Sequence, residues 1–117
     1  MIAPPIKRDL IVPQGTTFPV KLRYLDSNNS VVDLTGATVR AQLRKSYDQT
    51  NADLDCTIAN GKAFVDVDNY FGFTLAPADT SALTATTYFY DLVVTTSGGD
   101  VTRAMEGTLT ITPEVTK

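Results

Sequence analysis

The feature that most constrains this chain is a period-two alternation of apolar and polar residues, repeated along most of its length. Phe18, Val20, Leu22 and Tyr24 alternate with Thr17, Pro19, Lys21 and Arg23. Val39, Ala41 and Leu43 alternate with Arg40, Gln42 and Arg44, and Leu54, Cys56 and Ile58 with Asp53, Asp55 and Thr57. Successive side chains of a strand point to opposite faces, so each run buries one face and wets the other. A chain built of such runs folds as antiparallel sheet packed on itself.

A length of 117 residues suits one domain, here residues 1–117. A chain of this size buries roughly 65% of its unfolded surface, enough for one core without covalent staples. The 43% hydrophobic and 20% charged content belongs to the globular class. The single Cys56 rules out an internal disulfide and reads as a small buried hydrophobe. A net charge of −3 without a basic stripe gives no footprint for nucleic acid. Met1 to Leu10 has no apolar stretch of the kind a signal peptide needs, and no run of 18 apolar residues exists to span a membrane.

Strands are expected over Ile6–Val12, Thr17–Leu25, Ala37–Lys45, Ala52–Ala59, Lys62–Asp68, Phe71–Leu75, Thr86–Thr96 and Val101–Thr112. Pro19 cannot donate to a ladder and marks its strand as an edge or a bulge. Ala76–Leu83, with Pro77 near its start and Asp79 in its first turn, suits one helical turn and no more. That turn is placed to bridge two sheets, and Tyr88 follows just where immunoglobulin-like sandwiches use a tyrosine to bond back across a corner. The expected fold is all-β: a single immunoglobulin-like antiparallel β-sandwich of seven or eight strands with one short helical turn.

Asn60-Gly61 is the strongest short hairpin signal, a type I′ turn. It would set Asp55 opposite Asp66 and Asp53 opposite Asp68, with Leu54, Cys56, Val65 and Val67 on the other face. Like charges directly opposite destabilise a sheet. The preceding strand offers compensation: Leu43 opposite Leu54 would bring Arg40 and Arg44 to the acidic face. An exposed Arg-Asp ladder is therefore expected. A divalent cation on Asp53, Asp55, Asp66 and Asp68, or a basic patch on a partner, are the alternatives.

No catalytic constellation emerges. The chain has no histidine, so the usual nucleophile–base pairs are missing. Gly98-Gly99 joins two strands rather than opening a phosphate-binding helix. No catalytic residue, metal ligand or cofactor site is assigned. Thr86–Thr96 is apolar on both faces, with Tyr88, Tyr90, Leu92 and Val94 in one row and Phe89 and Val93 in the other. Phe64 also points away from the expected core. Phe64, Phe89 and Val93 are thus the candidate interface residues.

The runs IVPQGTTFPVKLRY (Ile11 to Tyr24), VDLTGATVRAQL (Val32 to Leu43) and TYFYDLVVTTSGGDVTRAMEGTLTIT (Thr87 to Thr112) resemble the short immunoglobulin-like sandwich proteins of tailed bacteriophage virions. Among these are the amino-terminal domains of baseplate upper proteins, and similar sandwiches decorate capsids. The resemblance covers most of the chain and carries no site motif. It implies a non-enzymatic virion protein, made in the host cytoplasm, that contacts other virion structural proteins in many symmetric copies. A chain ending at Lys117 after one sandwich points to a connector, collar or coat rather than a receptor-binding head. The alternatives are a capsid decoration protein and a carbohydrate-binding adhesion module. The latter normally displays an aromatic platform, whereas tryptophan is absent here and Tyr and Phe mostly occupy core positions.

Overall fold

The computed structural model describes residues 6–23, 25, 28 and 30–115. Its strands are β1 (Ile6–Lys7), β2 (Leu10–Pro13), β3 (Phe18–Arg23), β4 (Thr38–Arg44), β5 (Leu54–Thr57), β6 (Ala63–Val65), β7 (Tyr70–Leu75), β8 (Thr87–Thr95) and β9 (Val101–Thr112), with one helix, α1 (Pro77–Ala82), between β7 and β8. One sheet runs β1-β9-β8-β4-β5, with β2 also on β9, and the other runs β3-β7-β6. In immunoglobulin nomenclature β3 to β9 occupy strands B, C, C′, D, E, F and G, with C, F and G in one sheet and B, E and D in the other. The chain is an immunoglobulin-like β-sandwich.

The inward faces follow the alternation in the sequence. Val39, Ala41 and Leu43 of β4, Tyr88, Tyr90, Leu92 and Val94 of β8, and Phe71, Phe73 and Leu75 of β7 form the core with Leu109 and Ile111 of β9. Helix α1 carries the chain from one sheet to the other. Asp79 returns its carboxylate to the Ala76 N–H at 3.0 Å and so satisfies a donor at the helix start. Just past the crossing, the Tyr88 hydroxyl donates to the Thr84 carbonyl at 2.9 Å, the tyrosine corner expected there. Pro19 lies on β3, an edge strand, where its missing N–H costs no ladder bond.

Three expectations are corrected. The first concerns the start of the chain. The sandwich is not wholly antiparallel, because β1 and β2 both pair parallel with β9. The single strand expected over Ile6–Val12 is interrupted at Arg8 and Asp9. There the backbone closes onto Gly107, where a Cβ would collide with the Arg8 carbonyl oxygen. Arg8 N–H bonds the Glu106 carbonyl at 3.0 Å, Asp9 accepts from Thr108, and the Tyr90 hydroxyl reaches the Arg8 carbonyl at 2.7 Å from the core.

The second correction is the Asn60-Gly61 hairpin. β5 pairs with β4 and β6 pairs with β7, so these flanking strands belong to different sheets. Gly61 has φ 78°, but Asn60 does not adopt the positive φ that a type I′ turn needs. Asn60 instead works through its side chain. It accepts from the Thr57 and Lys62 N–H groups and donates to the Asp55 carbonyl. These bonds stabilise a sheet-to-sheet corner, and the expected Asp-on-Asp pairs do not form.

The third is the reach of β6. The strand stops at Val65, and Asp66 accepts from the Asp68 and Tyr70 N–H groups, both at 3.0 Å, to make the β6–β7 turn with Asn69 at φ 65°. Val67, expected on the core face, is 98% exposed at the tip of that turn, and Ile58 is exposed at the corner. The extended Pro4-Pro5 start and Tyr24 lie outside the described residues.

Candidate functional site

The outer face of the larger sheet is set by register across β5, β4, β8 and β9. One row reads Thr57, Arg40, Val93, Arg103; the next reads Asp55, Gln42, Asp91, Glu106; a third holds Arg44, Phe89 and Thr108. A basic row thus lies beside an acidic one. The rows stay aligned because β9 carries a bulge opposite the Leu92/Val93 step. The extra residue lets Ala104 and Met105 both face the core, with Arg103 and Glu106 outside.

Half of the expected ladder is present. Arg40 grips Asp55 through two hydrogen bonds, at 2.9 and 3.1 Å. The Arg40 hydrogen bonds, opposed by partial burial, hold the Asp55 carboxyl below the usual carboxylate range. The β4–β5 register sets Leu43 opposite Leu54 as expected. Arg44 does not meet Asp53. It donates to the Gln49 carbonyl and to the Gln42 side chain, while Asp53 accepts from Lys45 N–H and the Gln49 amide. Asp66, in the β6–β7 turn of the other sheet, pairs with Lys21 at 3.7 Å. No group of three or more potential metal ligands forms among the described residues.

The three candidate interface residues are all half-buried; Phe89 and Val93 share the outer face of the larger sheet, and Phe64 lies apart from them. Phe64 lies on the smaller sheet, opposite Gly72. Val93 lies on the larger sheet between Arg40 and Arg103. Phe89, in the next rows, is covered by Tyr47 of the β4–β5 loop, with ring centroids 4.4 Å apart and planes inclined by 21°. Tyr47 is itself 82% exposed. Beside this stack lies a hollow of about 280 Å³ whose lining includes Gln42, Asp91, Arg103 and Glu106. Arg103 holds Asp91 at 3.6 Å and Glu106 at 3.7 Å.

Tyr47 lies between two alternating runs, where period two assigns it no role. Asp91 could have been found, since it shares the parity of Phe89 and Val93. Arg103 and Glu106 share the face only because of the bulge, which the sequence does not announce.

Cys56 is fully buried, as expected for a small hydrophobe. Burial above all, and then the Asp79 charge, push its thiol up to about 12, the Lys62 charge opposing them. It is a poor nucleophile at neutral pH.

At one end of the sandwich the β3–β4 loop, the β6–β7 turn and the β8–β9 turn come together. Leu34 N–H donates to Asn69 at 3.0 Å, Arg23 donates to the Asp68 carbonyl at 2.8 Å, and Gly36 approaches Ser97. This end carries exposed Val67, Val101, Leu25 and Val31.

No family model matches the chain, and no curated protein sequence matches it. Among solved structures it is similar to that of Sidekick-1 immunoglobulin domains 1-4, at 14% identity and a TM-score of 0.45, over 95% of this chain. The chain spans 24% of the length of that structure's chain. No helix among the described residues is long and apolar enough to cross a membrane.

Proposed function

We propose that this sandwich is a non-enzymatic structural component of a tailed bacteriophage virion, acting as an assembly or connector protein of the tail or baseplate. The sequence resemblance supplies the setting. The observation that carries an assembly role is the apolar loop end. Val67, 98% exposed, and Val101, 68% exposed, stand with Leu25 and Val31 on adjoining loops of a small domain whose core is already complete without them. Exposed apolar side chains of this kind gain free energy when a neighbouring subunit covers them. The charged groups of the larger sheet lie on an open, solvent-facing surface, which supports a non-catalytic role.

The test is incorporation. The double variant Val67→Ser, Val101→Ser should keep the melting temperature of the free protein and be lost from purified particles. Unchanged incorporation overturns the contact. A companion variant, Phe89→Ser with Val93→Ser, tests the outer sheet face on the same readout. Counting copies per particle by quantitative mass spectrometry separates this reading from capsid decoration: tail components are few per virion, head coats are many.

A further inference from the structure

We propose that the outer face of the larger sheet carries a binding site for a neutral pyranose ring, with Tyr47 as its platform and Asp91, Arg103 and Glu106 as its hydroxyl partners. A loop tyrosine exposed to 82% normally samples many rotamers at no cost. Tyr47 is instead held flat against Phe89, a residue anchored in the centre of the sheet. The loop that presents it is tied down as well. Gln49 donates to the Asn51 carbonyl and to Asp53, and Arg44 reaches back to the Gln49 carbonyl. One face of the Tyr47 ring is therefore occupied, and the ring is preorganised to offer the other to a ligand.

The chemistry beside the ring selects the ligand. Phe89, Gln42 and the Asp91–Arg103–Glu106 trio line the hollow next to Tyr47. The 3.6 and 3.7 Å ion-pair distances exceed hydrogen-bond length, so these links leave carboxylate lone pairs and guanidinium N–H groups able to engage a ligand. A hydroxyl between them could donate to a carboxylate and accept from Arg103. Two arginines, Arg44 and Arg103, balance Asp91 and Glu106 around the hollow, so neither an anion nor a cation is favoured. A volume of about 280 Å³ is at the small end for ligand sites and suits one or two sugar rings. A pyranose matches on each count: an aliphatic C–H face for the aromatic ring, vicinal hydroxyls at its rim, and no charge. The site occupies the outer sheet face rather than the loop end, and the proposal does not depend on the assembly role.

The experiment is a nuclear magnetic resonance titration of the full chain with methyl glucopyranoside, methyl galactopyranoside and N-acetylglucosamine, with sialyllactose as the charged comparison. At least one neutral sugar should bind with a dissociation constant on the order of 1 mM. It should shift the amides of residues 47, 89 and 91 and give saturation transfer to its ring protons. Tyr47→Ala should weaken binding at least tenfold, Tyr47→Phe should retain it, and Glu106→Gln should weaken it, with amide dispersion reporting that each variant is folded. No shift with any neutral sugar, binding that survives Tyr47→Ala, or a preference for sialyllactose would each overturn the proposal.

Discussion

Tyr88 shows how much one side chain can specify. Its ring fills the core beneath the sheet crossing, and its hydroxyl satisfies the Thr84 carbonyl four residues upstream at 2.9 Å. Removing only the hydroxyl leaves the packing intact and unpairs one carbonyl, which costs about 1 kcal/mol. For a domain of this size Tyr88→Phe should lower the melting temperature by about 4 °C, read by thermal unfolding. An unchanged midpoint would mean that solvent replaces the bond. This residue was legible in the sequence because its role depends on neighbours close along the chain: a crossing helix of known length, then a strand. Phe89 was legible only in part. Its parity announced an outward ring, yet nothing in Ser46, Tyr47 or Asp48 announced that the loop would fold back and cover it.

At the scale of elements, the join of β1 and β2 to β9 is the place where the backbone has least room. Gly107 lies opposite Tyr90 on β8, against the break at Arg8 and Asp9, and has φ 153°. Any side chain there meets the Arg8 carbonyl oxygen, which in turn accepts the Tyr90 hydroxyl. Gly107→Ala should cost about 2–3 kcal/mol, seen as a lower urea midpoint with an unchanged slope. Hydrogen exchange gives the local signature: the Arg8 amide, bonded to the Glu106 carbonyl, should lose protection before the amides of β4 and β8. The corner at Asn60-Gly61 is the complementary case. The turn signal was real, since Gly61 holds a positive φ, but the same two residues serve a hairpin or a crossing between sheets.

At the scale of the molecule, buried ionisable groups tie stability to alkaline pH, Cys56 and Tyr90 most of all, with the Tyr88 phenol also raised by burial. Burial pushes the Cys56 thiol up to about 12 from 9.0 and the Tyr90 phenol up to about 12 from 10.0. Both groups ionise more readily in the unfolded chain, so the folded state holds more protons above pH 9. The stability each supplies is complete below its unfolded value and is lost as pH climbs toward 12. Urea midpoints should therefore be flat up to pH 9 and fall beyond it, with a limiting slope of about 1.4 kcal/mol per pH unit for each group. Cys56→Ala should remove the part of the fall that begins at pH 9 and keep the part that begins at pH 10. A thiol reagent at pH 8 should find Cys56 only after denaturant is added.

Side-chain alternation alone settles which face of most strands goes inside. Val39, Ala41, Leu43, Cys56, Tyr88, Tyr90, Leu92 and Val94 are all buried where period two put them. The crossing helix was legible too, and Pro19 narrowed its strand to an edge or a bulge, because proline chemistry, helix starts and side-chain alternation act within a few residues. Which strands are partners is settled by packing between distant parts of the chain. The inward residues of β5 and β6, Cys56 and Ala63, are equally buried whether the two strands pair with each other or with β4 and β7 in separate sheets. Backbone N–H and C=O groups are alike in every strand, so alternation cannot choose among ladders. The choice falls to contacts distant in sequence: the parallel seat of β1 and β2 on β9, the bulge that turns both Ala104 and Met105 inward, and the stacking of Tyr47 on Phe89.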